Sequence, residues 1–217
     1  MRRLFAVVVL TASTFVSAAA PPAYMFTALD NPAADIAKGE RTRAFGINDA
    51  GYVVGDFGRH GFVAAEGVFA TIDVPGATRT QAFGINNAGE IVGNFQDGIG
   101  THGFVLRRGL FRSLDVPGAG MVNGAATRAY GINAAGQIVG DFDSTTGTHG
   151  FFYDGENFSV LDFQDAYFTQ AFGINDAGDI VGAQLLSQVS AAIADSSTEM
   201  ATIRRSRIQP RALPAVW

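Results

Sequence analysis

The sequence predicts an all-β fold of repeated four-stranded antiparallel units, packed like the blades of a β-propeller, about four in number, the last incomplete and the ring possible in closed or open form. Three observations carry this reading. One phrase recurs four times, as AFGINDAG at residues 44–51, AFGINNAG at 82–89, AYGINAAG at 129–136 and AFGINDAG at 171–178. A fixed unit at such a period means that the fold stacks copies of one supersecondary piece. Successive copies start 38, 47 and 42 residues apart, so the unit keeps its core and takes insertions in its loops. Between the copies, short apolar runs alternate with Gly, Asn and Pro-Gly turn signals.

The second copy shows each element in order. Ala82 to Asn86 alternates, with Phe83 and Ile85 on one face and Ala82 and Gly84 on the other, a strand pattern. Asn86 to Gly89 is a tight reversal, because Asn bonds its own backbone at a turn entry and Gly supplies positive φ. Glu90 to Phe95 is the second strand, with Gly93 leaving space for a neighbouring sheet. After a variable loop, Gln96 to Gly100, a third strand runs from Thr101 to Leu106. Arg107 to Gly109 turn it into a fourth, Phe111 to Val116, which Pro117-Gly118 ends. Four strands in about 40 residues, apolar on both faces, suit a propeller blade packed between two others. A parallel β-helix would need a shorter and more regular period.

The phase of the repeat points to a ring. Residues 26–32 (FTALDNP) align with the fourth-strand residues 69–75 (FATIDVP), so the N-terminal segment is placed to complete the final blade. That blade has no His-Gly-Phe third strand after Gly182, and the segment around Met200 to Arg204 is the substitute the sequence offers.

Residues 1–18 read as a secretory signal peptide: Arg2 and Arg3, the apolar run Leu4 to Val16, then small residues, with the mature start near Ala19. The run is shorter than the roughly 20 apolar residues of a membrane span, so no stable span is expected after its removal. Residues 19–183 form the β-repeat domain. Residues 184–217, which contain none of the 27 glycines or 18 phenylalanines, form a divergent tail expected to be disordered. The expected location is secreted or periplasmic. With no cysteine, the exported chain is held by core and backbone pairing alone. Nine basic and eighteen acidic residues between Ala19 and Ala183 argue against nucleic acid as a partner.

The phrases GINDAGDIVG and His-Gly-Phe resemble those of the bacterial extracellular repeat family of the His-Ala-Phe (HAF) type. The likeness spans Phe26 to Gly182, with Gly61, Gly103 and Gly150 standing where the family triplet has Ala. The resemblance implies export and a β-repeat fold. It brings no activity and no catalytic residue.

Candidate chemistry is sparse. His60, His102 and His149 hold one place in the unit, and three imidazoles meeting at a ring axis would suit zinc. A histidine repeated at a strand start more often serves the fold, by bonding the preceding loop. Asp141 and Asp143 stand two apart before Gly147, loosely like a calcium loop, against the reading of a solvated turn. Asp30, Asp73, Asp115 and Asp162 recur near the fourth-strand ends, but a glycosidase needs two carboxyls in unlike settings, not four in equivalent ones. No catalytic constellation or cofactor motif is visible. The sequence thus points to a non-catalytic binding or scaffold module that recognises an extracellular or envelope ligand, a glycan or peptide, through the loops at residues 58–59, 96–100 and 143–148. The alternative is a secreted glycosidase-like hydrolase with its site at the propeller centre.

Overall fold

The computed structural model describes residues 27–120, 126–186, 199–203 and 211–212. The expected signal peptide and most of the expected tail lie outside them. No helix among the described residues is long and apolar enough to cross a membrane.

Unit 1 comprises β1 (Thr42–Ile47), β2 (Val53–Phe57), β3 (His60–Ala65) and β4 (Val68–Ile72). Unit 2 comprises β5 (Arg79–Ile85), β6 (Ile91–Gln96), β7 (Thr101–Arg107) and β8 (Leu110–Leu114). Unit 3 comprises β9 (Thr127–Ile132), β10 (Ile138–Ser144), β11 (Gly147–Tyr153) and β12 (Phe158–Leu161), and unit 4 has β13 (Ala166–Ile174), β14 (Ile180–Leu186) and β15 (Glu199–Ile203). Within each unit the strands pair antiparallel in chain order. A single parallel pair, Thr148 with Phe168, joins units 3 and 4 into one sheet, and a short strand β16 (Arg211–Ala212) adds to β12. The architecture is all-β and propeller-like, as the repeat predicts.

Two details correct the sequence reading of the unit. Strand alternation breaks in every first strand, because Phe45, Phe83, Tyr130 and Phe172 are each the extra residue of a β-bulge. The bulge puts Ala82 and Ile85 together in the core and turns Phe83 out of it. It also explains the glycine of the second strand. A Cβ on Gly55, Gly93 or Gly140 would stand 1.9, 2.0 or 1.9 Å from the carbonyl oxygen of Arg43, Gln81 or Arg128 across the bulge. The neighbouring unit approaches elsewhere, at the first-strand glycine, where a Cβ on Gly84 would lie 2.7 Å from the Tyr130 carbonyl oxygen.

Units pack in series. Val54 of unit 1 is buried with Ala82 and Ile85 of unit 2, Val92 with Ala129 and Ile132 of unit 3, and Val139 with Ala171 and Ile174 of unit 4. Each junction is pinned by a threonine hydroxyl that accepts the N–H of the residue after the recurrent aspartate: Val74 to Thr80 Oγ1 (3.1 Å), Val116 to Thr127 (3.2 Å) and Phe163 to Thr169 (3.3 Å). The same bond links Asn31 to Thr42 Oγ1 (2.8 Å), and Leu29 packs on the unit 1 core. The N-terminal segment therefore sits where a preceding unit's fourth strand would end, although residues 27–30 pair with no strand among the described residues.

β14 runs on to Leu186, past the boundary at Ala183, and β15 pairs with it from Ile180↔Ile203 to Gln184↔Glu199. The third strand of unit 4 thus comes from the region the sequence offered for it. The first strands lie side by side in the order β1, β5, β9, β13, and the end faces stay uncovered, with Ile47 of β1 and Val181 of β14 exposed. The array is an open arc.

Candidate functional site

The first strands line the inner side of the arc, and their four bulges aim four aromatic rings into one row. Phe45 to Phe83 is 4.9 Å between centroids, Phe83 to Tyr130 5.3 Å, and Tyr130 to Phe172 5.6 Å, all tilted or edge-on geometries that ring quadrupoles favour. Phe45 and Phe172 are 43% and 41% exposed, so the row presents an apolar surface to solvent. Bulges that re-aim side chains in this way occur next to functional sites.

Beside the row lie buried carboxylates neutralised from two units at once. Asp56 is buried and accepts from Arg43 Nε (2.7 Å) and from the second Arg43 nitrogen, and across the junction from Gln81 Nε2 (2.6 Å) and Arg79 (3.4 Å). Asp141, fully buried, accepts from Arg128 (2.8 Å), Tyr130 Oη (3.3 Å) and, across the junction, Gln170 Nε2. The second Arg128 nitrogen donates to Asp143 at 2.7 Å. Burial pushes the Asp141 carboxyl above its usual range despite these donors. Asp143 goes the other way: its partial burial is outweighed by the bonds from Arg128 and Thr148, which hold its carboxyl low. Burial opposes the Arg128 charge, but its two carboxylate partners prevail and raise its pKa.

One rim of the inner side carries the asparagines of the repeated phrase. Each side-chain N–H of one unit donates to the asparagine carbonyl of the next: Asn48 to Asn86 (3.1 Å), Asn86 to Asn133 (3.1 Å) and Asn133 to Asn175 (3.2 Å). A depression of about 130 Å³ opens there, with Asp49, Asn87 and Asp176 in its lining. At the other rim a hollow of about 400 Å³ in unit 1 is lined by Lys38, Glu40, Arg41, Arg43 and Arg59, a local basic patch on an acidic chain.

The histidines do not meet at an axis. Each belongs to its own unit, where Nδ1 of His60, His102 and His149 faces Asp73 (2.9 Å), Asp115 (2.9 Å) and Asp162 (2.8 Å). Each ring also lies against the preceding phenylalanine, Phe57, Phe95 or Phe142, at 5.1–5.4 Å. Among the described residues no three metal-ligating side chains come together. The fold places the three imidazoles in separate sheets. Asp141 and Asp143 share Arg128, which supplies the positive charge a cation would bring. Of the recurring aspartates, three are the histidine partners. The segment 143–148 is largely an extension of the β10–β11 hairpin, with Asp143↔Thr148 and Ser144↔Gly147 in register. The sequence reading missed the aromatic row and Asp56. Its signal was the aromatic before each Gly-Ile-Asn, legible only once the bulge is known.

These features describe a propeller-like repeat protein with an aromatic inner row. No family model matches the chain, and no curated protein matches it. Among solved structures, a streptogramin B lyase is similar at 13% identity over 74% of this chain and 54% of that one, with a TM-score of 0.43. Selenomethionine-substituted virginiamycin B lyase from Staphylococcus aureus is similar at 10% identity over 74% of this chain and 69% of that one, with a TM-score of 0.33. The chain spans about half the length of the first. At these levels the likeness assigns no function.

Proposed function

We propose that this is an exported, non-catalytic binding module of the His-Ala-Phe repeat type, which recognises an extracellular or envelope ligand along the inner aromatic row. The observation that carries the reading is the row itself: four bulged aromatics in contact, exposed at both ends, beside carboxylates already neutralised by Arg43 and Arg128. Such a surface offers stacking area at fixed spacing and few free charges, which suits an extended neutral polymer, a glycan before a peptide. Export rests on the leader-like residues 1–18 and predicts a mature N-terminus near Ala19.

A hydrolase reading draws on one observation, the opposite displacement of the Asp141 and Asp143 carboxyls. It is the weaker reading, because both Asp141 oxygens already accept hydrogen bonds, from Arg128, Tyr130 and Gln170. A glycan and cell-wall binding screen on the purified domain tests the proposal. Binding that is lost in Phe83→Ala with the β-sheet circular dichroism intact supports it. Polysaccharide or peptide cleavage abolished by Asp143→Asn would replace it with the hydrolase.

A further inference from the structure

The junctions inside the arc specify what the two ends of the arc would accept. In each internal junction the second-strand valine of one unit, Val54, Val92 or Val139, is 0% exposed beneath the first-strand alanine and isoleucine of the next. Val181, the same residue in unit 4, is 44% exposed. At the other end the covering pair is itself uncovered: Ala44 is exposed, and Ile47 is 68% exposed, against 9% and 8% for Ile85 and Ile132. The arc thus shows solvent both halves of a junction that it forms three times internally.

The strand inventory is complementary in the same sense. Among the described residues, unit 4 has first, second and third strands in β13, β14 and β15, and β16 pairs elsewhere, with β12. Unit 1 is preceded by fourth-strand sequence, of which residues 27–32 are described and sit at the junction position through the Asn31 to Thr42 bond. The asparagine ladder has the same polarity: its last acceptor is the Asn175 carbonyl, whose own side-chain N–H turns back to Asp179 Oδ2 (3.2 Å), and its first donor is Asn48, whose carbonyl receives no asparagine side chain among the described residues.

We propose that a second copy of this chain occupies these ends. The fourth unit of each copy packs on the first unit of the other, Val181 beneath Ala44 and Ile47, and takes the segment around Leu29 as its fourth strand. Two arcs of four units joined so at both ends make a two-fold ring of eight. That lies within the typical range of about four to eight blades for propellers. The two-fold exchanges the two contacts, Val181 on Ile47 of the other copy and Ile47 on its Val181, so the interface is isologous and the assembly stops at two copies. The occupant follows from continuity with the internal junctions: the repeat's own face is what each exposed face is built to meet.

One residue pair sets this contact apart from the internal ones. In the first junction the Asp49 N–H donates to Asn87 Oδ1 (2.9 Å) and Asn87 Nδ2 donates to Asp49 Oδ2 (2.6 Å). In the third, the Ala134 N–H donates to Asp176 Oδ1 (2.8 Å). Closure by a second copy brings Asp176 against that copy's Asp49, two carboxylates where the first junction has a carboxylate and an amide. Like charges there oppose association.

Sedimentation and light scattering of the full chain across the micromolar range test this. The expected result is a concentration-dependent dimer. Ile47→Asp and Val181→Asp should each weaken it by about tenfold or more, and Asp176→Asn, which keeps the acceptor for Ala134, should tighten it by about tenfold. The tightening variant guards against loss through misfolding. A monomer at every concentration, growing filaments, or a dimer indifferent to all three substitutions would overturn the proposal.

Discussion

The side-chain N–H of Asn86 donates to the backbone carbonyl of Asn133 at 3.1 Å, while its Oδ1 accepts the N–H groups of Ala88 (3.1 Å) and Glu90 (3.0 Å). One buried amide therefore closes a hairpin turn in its own unit and ties that turn to the next unit. This is the physical content of the repeated Gly-Ile-Asn phrase.

Asn86→Ala should cost about 2–3 kcal/mol, because it removes a buried donor to the next unit and takes the shared acceptor from the Ala88 and Glu90 N–H groups. Asn48→Ala, at the exposed end of the ladder, should cost less. Denaturant titration of both variants checks the ranking, and equal losses would contradict a ladder role.

His102 stacks on Phe95 and faces Asp115, so His102→Ala should lower stability by about 1 kcal/mol and leave the melting temperature insensitive to added zinc in both forms. Stoichiometric zinc held by the native protein and lost in the variant would show that the pair serves a metal.

Gly103 stands where the resembled family writes Ala. A Cβ there would lie 2.7 Å from the Leu114 carbonyl oxygen, so Gly103→Ala should destabilise by about 1–3 kcal/mol. The same change at Gly61 and Gly150, where the distances are 2.9 and 2.8 Å, should cost about as much. Thermal melts of the three single variants check this, and a variant as stable as the parent would contradict it.

Acid stability should carry opposite signs at neighbouring carboxyls. The Asp143 carboxyl is held low in the fold, so its contribution is present above the ordinary carboxylate pKa and is lost as pH falls through the lowered value. Asp141 is raised, so its ionisation lowers stability as pH rises from the ordinary value through the raised one. Asp143→Asn should flatten the fall of the melting temperature below about pH 4. An unchanged or steeper fall would mean that Arg128 does not hold this charge.

Much of the unit was legible in the sequence because strand and turn signals are local. The third strand read from Thr101 to Leu106 is β7 to within a residue, and the Asn-Gly and Pro-Gly reversals fall where they were placed. The inner site was not legible, because it depends on a bulge that no period-two pattern announces. Phe83 reads as a core residue beside Ile85, and only the skipped pairing between Ala82 and Gly84 turns it out. The carboxylate clusters were hidden for a related reason. Gln81 and Gln170 reach Asp56 and Asp141 from the following unit, a contact 25 and 29 residues away that only stacking creates. The His–Asp pairs, by contrast, recur at a constant separation of 13 residues and were readable as a pattern, though not as partners.

The ladder of amides runs one way only, each unit giving to its successor and receiving from its predecessor. A piece of gene spanning one period, cut between one Pro-Gly and the next and copied in tandem, would therefore encode a product that meets both neighbours through the bonds already in use. Adding or removing a unit leaves the bonds at every other internal junction as they are, and the orientation of each unit stays fixed.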